Sequence, residues 1–237
     1  MNNESILEQS QAKPVDEGLR RHFHHVYSTM GLGLLITAVM AYATSNSPLL
    51  LQPLLAMKGN MITALLLAAP IMILPMVVGA LAQRASAAVT GLAFFGFSAY
   101  WGWLLSIYLV AFTDTSIARV FMITAIMFGG MSIWGYTTKR DLSKMSSILS
   151  MAVLGLLAAI ILNFFLQSSM LHYVISGVGV IVYTIMIAFD TKNIKQQYSA
   201  SYSRENNMKL AIIGAMNLYV NIIMLFQFLM SFLGQRE

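Results

Sequence analysis

Cysteine is absent from the 237 residues, and charge is scarce: Asp, Glu, Lys and Arg together make up 10% of the chain. The first absence excludes disulfides, thiolate chemistry and cysteine metal sites. The second is more informative. A soluble domain carries about 25% charged residues, and without them the surface cannot be covered with solvated groups. Catalytic signatures are missing as well: there is no H-E-x-x-H, no G-x-S-x-G and no P-loop. His172 is the one histidine beyond the N-terminal His22, His24 and His25, and no serine motif is placed to use it. The chain is therefore read as a non-enzyme without a resident cofactor. The first 20 residues contain Glu4, Glu8, Asp16 and Glu17 and no apolar h-region, so they do not read as a cleavable signal peptide.

What is present is apolar. Hydrophobic residues make up 58% of the chain, so lipid, not water, is the expected solvent for most side chains. Seven apolar runs stand out, at about Val26–Ser45, Ile62–Gln83, Ala87–Phe112, Ile117–Thr137, Ser147–Leu166, Tyr173–Asp190 and Leu210–Leu233. Each approaches the roughly 20 helical residues that cross a bilayer core of about 30 Å. Barrel strands alternate apolar and polar residues, and Ile62–Leu67 or Ala152–Leu162 do not. The predicted fold is an all-α integral membrane bundle of seven transmembrane helices over residues 25–237, after an N-terminal tail, residues 1–24, read as mostly disordered.

Basic residues set the orientation. Lys13, Arg20, Arg21, Arg84, Lys139, Arg140, Lys144, Lys192, Lys195, Arg204 and Lys209 fall on one side of the predicted bundle, and Lys58, Arg119 and Arg236 on the other. Lys and Arg accumulate on the cytoplasmic side, so eleven against three places the N-terminus inside, and the odd helix count places the C-terminus outside. The net charge of +5 is absorbed in this way and gives no nucleic-acid signal. The histidine cluster reads as interfacial, beside Arg20 and Arg21.

Small residues four apart, Ala87 with Gly91 and Ser98 with Gly102, predict close helix packing. Pro70 and Pro75 interrupt the second run, either shaping a cavity or accommodating packing. Tyr27, Trp101, Trp103, Tyr136 and Tyr173 read as interfacial anchors.

Ionisable groups inside a membrane are costly and become functional candidates. Asp190 closes the sixth run and is predicted at the cytoplasmic end of its helix. Two readings stand: a titratable gate or cation ligand, or a solvated residue paired with Lys192 or Lys195. Asn217 and Asn221 are four apart on the last run and share a helix face, suited to interhelical adhesion or to a polar path. Asn163 is a further candidate partner. Arg84, ending the second run, either sets topology or reaches a carboxylate along its stem.

Three segments carry a family resemblance. Gly135-Tyr136-Thr137-Thr138-Lys139-Arg140-Asp141-Leu142-Ser143, Phe189-Asp190-Thr191-Lys192-Asn193-Ile194 and Leu218-Tyr219-Val220-Asn221-Ile222-Ile223-Met224-Leu225-Phe226 resemble, in order, motifs of the Bax inhibitor-1 family. The likeness runs from about Asp16 to Gly234. It implies a bacterial-type member in the inner (plasma) membrane, with seven helices and the last one central. It further implies a pH-sensitive cation leak, chiefly for calcium, or alternatively a regulator of a membrane protease or other membrane-protein partner. In the family two aspartates, on the sixth and seventh helices, lie near a basic residue at the end of the second. Asp190 matches the first aspartate and Arg84 lies near the basic residue, but Asn221 stands where the second aspartate belongs. Two close carboxylates share a proton and switch near neutral pH; Asp190 with Asn221 cannot. Any pH gating is expected to be weaker or shifted to acid. Asp190 is the candidate calcium ligand, with one carboxylate fewer than calcium prefers.

Overall fold

A computed structural model describes residues 3–56, 61–142 and 144–235; the side chains of residues 3–16, 61, 64, 65 and 68 fall outside that description. Among the described residues eight helices follow one another: α1 (Asn3–Ser45), α2 (Pro48–Leu55), α3 (Met61–Arg84), α4 (Ala87–Ala111), α5 (Asp114–Thr137), α6 (Met145–Leu166), α7 (Ser169–Gln197) and α8 (Arg204–Leu233). No strand occurs among the described residues. Among the described residues six helices are long and apolar enough to cross a membrane, counting the Glu17–Ser45 part of α1; α3 contributes the shorter apolar stretch Ala69–Arg84. The short connections are built from caps. Ser86, Thr113, Ser168 and Ser203 each accept a backbone N–H from the first turn of the helix that follows, satisfying donors a helix start leaves free.

Several elements differ from the sequence reading. Helix α1 is continuous from Asn3, where the sequence suggested a disordered tail; its composition up to Pro14 offers no glycine to interrupt a helix. Helix α2 was not foreseen, being too short to register as an apolar run. The change that bears on the site is in α7. It continues about two turns past Asp190 to Gln197, because Ile194 packs on Gly214 of α8 and Lys195 donates to the Tyr136 carbonyl at 2.9 Å. Asp190 therefore lies inside the helix rather than at its end. Lys58, Ser143 and Arg236 lie outside the described residues.

Burial is greatest along α8. Of the most apolar stretch of α8, 67% is buried, against 11% for α6. Helix α8 packs on α1, α3, α4, α5 and α7, whereas α6 packs, among the described residues, on α7 alone. Tyr219 is fully buried at the centre. Its hydroxyl meets Thr37 Oγ1 at 2.7 Å, and its ring lies edge-on to Phe94 and Phe97 at 5.5 and 5.9 Å. Thr37 has one proton and two carbonyls within 2.9 Å, those of Gly33 and Ser98; it donates there, so Tyr219 donates to Thr37. One side chain of α8 thus ties α1 and α4 together.

Glycine makes the closest approaches. A Cβ on Gly102 would lie 2.4 Å from the Thr37 carbonyl, and one on Gly135 would lie 2.4 Å from the Ala188 carbonyl. The predicted Ser98–Gly102 pair is therefore the seam with α1. Gly91 meets only ordinary contact, with Ile212 at 3.7 Å. Trp101, read as an interfacial anchor, is instead 2% exposed in the core. Tyr173, at the start of α7, is exposed as an anchor should be. Pro70 and Pro75 sit inside α3, and the Tyr100 hydroxyl donates to the Leu67 carbonyl one turn before Pro70.

Candidate functional site

Asp190 and Asn221 are brought together where α7 and α8 cross in antiparallel register. Asn221 Nδ2 donates to Asp190 Oδ2 at 2.6 Å, and both residues are buried, with 9% and 2% exposed. An amide donor to an ionised oxygen is a charge-assisted bond, shorter and stronger than a neutral one. Asn221 gives the only hydrogen bond to the carboxylate among the described residues, although a carboxylate offers about four lone-pair sites. The acid is thus held by one partner and under-supplied with donors.

A chain of hydroxyls runs alongside. Thr191 Oγ1 donates to the Ile187 carbonyl at 2.8 Å and lies 3.2 Å from Ser132 Oγ. Since the Thr191 proton is spent, Ser132 donates to it, and the Tyr27 hydroxyl, in contact with Ser132, donates in turn. Tyr27 of α1, Ser132 of α5 and Thr191 of α7 form one polarised line next to Asp190. This pins α1 to α5, whose backbones do not pack. Tyr27 is therefore a network residue and not simply an interfacial anchor. The line went unseen in the sequence because single hydroxyls in apolar helices ordinarily bond their own backbone one turn back, as Thr124 and Thr184 do.

The other candidates stand apart. Neither Lys192 nor Lys195 pairs with Asp190 among the described residues. Lys195 lies over the Tyr136 ring at 4.4 Å, and Lys192 is buried. Arg84 is exposed at the end of α3 and makes no ion pair with Asp190; its stem does not bring the charge into the bundle. Asn217 shares the face of Asn221 but is exposed. It belongs to a stripe, Ile213, Asn217, Val220, Met224 and Gln227, that is only partly covered. Asn163 accepts from the Ser168 N–H at 3.1 Å and closes the α6–α7 turn. His22 is buried against Tyr198, with ring centroids 5.4 Å apart, while His24 and His25 are exposed.

Fold and site together define a multi-pass helical membrane protein with a carboxylate and a carboxamide paired between its last two helices. A family model described as inhibitor of apoptosis-promoting Bax1 matches residues 19–237, and the chain belongs to the Bax inhibitor-1 family. It is 38% identical to the inner membrane protein YbhL of Escherichia coli, over 93% of this chain and 94% of that protein. It is 37% identical to the protein RP147 of Rickettsia prowazekii, over 96% and 95%. A protein of Caulobacter vibrioides is 34% identical, over 93% and 90%.

Proposed function

We propose that the chain is a passive cation leak, for calcium above other ions, with Asp190 as its gate and Asn221 as the latch. It works without catalysis and without a resident cofactor. In this reading α3 completes a seventh crossing, α8 is the central helix, and the N-terminus is cytoplasmic in a bacterial inner membrane. The observation that carries the proposal is the buried 2.6 Å bond between Asp190 and Asn221. A carboxylate with one protein donor keeps lone pairs for a passing cation. A second observation supports it: Asn217, one helical turn from Asn221 on the same face, is exposed. It supplies a polar step from the bundle end to the gate. One carboxylate and two amides are a thin donor set for calcium, which takes six to eight oxygens. The ion is therefore a permeant species that keeps water. Purified protein in liposomes is expected to pass calcium faster than empty vesicles; equal rates would end the proposal.

The family resemblance brings a second reading, a regulator of a membrane protease or another membrane protein. The peripheral position of α6 favours it. Among the described residues that helix packs on α7 alone, and it exposes Met151, Leu154, Ile161 and Phe165, a face that another helix could cover. A partner that co-purifies from native membranes with wild type, and is lost when these four residues become alanine, would support this reading. A chain that purifies alone would count against it.

A further inference from the structure

A second polar cavity lies away from the Asp190–Asn221 pair. It has a volume of about 430 Å³ and sits where α1 enters the bundle, α7 ends and α8 begins. Arg21, His22, His25, Tyr198, Arg204 and Asn207 form its polar walls, and no carboxylate lines it among the residues whose side chains are described. Two guanidiniums, two imidazoles and a phenol thus converge on one space.

The positive charge there is poorly compensated. Glu17 lies 3.9 Å from Arg21, with both side chains more than two-thirds exposed, a pairing worth little in water. Glu205 pairs with Lys209 at 4.0 Å, and Arg204 has no ion pair among the described residues. Arg204 also opens α8, at the helix end whose dipole already carries about half a positive charge. A cation at that position is unfavourable by itself and favourable beside an anion.

The walls are held in place before any ligand arrives. The Tyr198 hydroxyl lies over Gly18, where a Cβ would come within 2.0 Å of it, and its ring packs on buried His22. Asn207 Nδ2 donates to the carbonyls of Ser199 and Tyr202 at 3.1 and 3.4 Å, folding the α7–α8 connection onto the cavity rim. Both arginines are exposed, at the mouth of a cavity they share with the histidines.

We propose that this cavity binds a phosphate group, with Arg204 and Arg21 as its cationic ligands and Tyr198 and the histidines as donors. Arginine forks match phosphate oxygens in pairs. A soluble phosphate and the headgroup of an anionic phospholipid present the same chemistry, and experiment separates them.

The test uses the full chain purified in detergent, with two arms. In the first, melting is followed in sodium phosphate against sodium chloride at equal ionic strength. In the second, retention of phosphatidylglycerol against phosphatidylcholine is read by native mass spectrometry. Arg119→Gln, at the opposite end of the bundle, is the control. A soluble ligand predicts a rise in Tm in the first arm, and a lipid headgroup predicts preferential phosphatidylglycerol retention in the second. Arg204→Gln weakens whichever response is seen by about tenfold in apparent affinity, and Arg119→Gln leaves it unchanged. If Arg204→Gln does not fold, Arg21→Gln carries the same expectation. Indifference of wild type to both phosphate and phosphatidylglycerol overturns the proposal. So does a response that survives both arginine substitutions.

Discussion

At the scale of the residue, the chemistry rests on one acid and one amide. The carboxylate of Asp190 is buried, and Asn221 is its donor. Leaving a buried charged group without its partner costs about 1–3 kcal/mol or more, so Asn221→Ala is expected to lower stability by that order, read by thermal melting in detergent. Replacing both residues together by leucine removes the polar need on each side and should cost less than Asn221→Ala, because a well-packed apolar pair needs no compensation. A double variant as unstable as the single one would contradict that. Asn221→Asp would place two carboxylates at hydrogen-bond distance, sharing one proton. Calcium flux through that variant should switch steeply with pH near neutrality, while wild type changes gradually; identical pH profiles would show that the pair does not set the gate. Asp190 and Asn221 were both legible in the sequence, since a lone acid and an amide in apolar runs stand out. Their contact was not, because it needs the register between α7 and α8. Tyr27, Ser132 and Thr191 were illegible as a network, since a hydroxyl in a helix looks the same whether it bonds its own backbone or a neighbour. The cavity at His22 and Tyr198 was half-visible: the histidines drew notice, but their convergence with Arg204 depends on the end of the bundle closing.

At the scale of the element, apolar length located α3, α4, α5 and α6 to within a turn at both ends, and the misses elsewhere have physical causes. Hydropathy falls at Asp190, yet α7 runs on because Ile194 has Gly214 to pack against and Lys195 has the Tyr136 carbonyl. Helix α2 is too short to be read from hydropathy. Small-residue spacing located the α1–α4 seam at Ser98 and Gly102, whereas the α5–α7 seam at Gly135 carried no paired small residue that the sequence reading singled out. These seams respond to bulk. Gly102→Leu should destabilise by about 1–3 kcal/mol through overpacking, since the Thr37 carbonyl leaves no room even for a Cβ. Gly129→Ala, with nothing within 4 Å of the new Cβ, should be neutral or stabilise by up to about 1 kcal/mol through helix propensity. Thermal melting of the two variants checks both, and equal losses would mean that the seam at Gly102 is loose.

At the scale of the molecule, the fold is a helical bundle whose last helix is the most buried of its spans, and the Asp190–Asn221 pair lies inside it. The seven crossings proposed above would put the two termini on opposite sides. A reporter that works only in the cytoplasm should be active when fused before Met1 and silent when fused after Glu237; activity at both ends would reduce the crossings to an even number. The central claim is that the charge of Asp190 governs cation passage. Its most direct measurement is calcium flux into liposomes holding wild type or Asp190→Asn at equal protein density, with melting to show that both are folded. The charge-neutral isostere keeps size and hydrogen-bonding capacity while removing the carboxylate, so flux is predicted to fall by about tenfold or more toward that of empty vesicles, in keeping with loss of a charged ligand worth at least ~1.4 kcal/mol. A folded Asp190→Asn protein that passes calcium as fast as wild type would contradict the account.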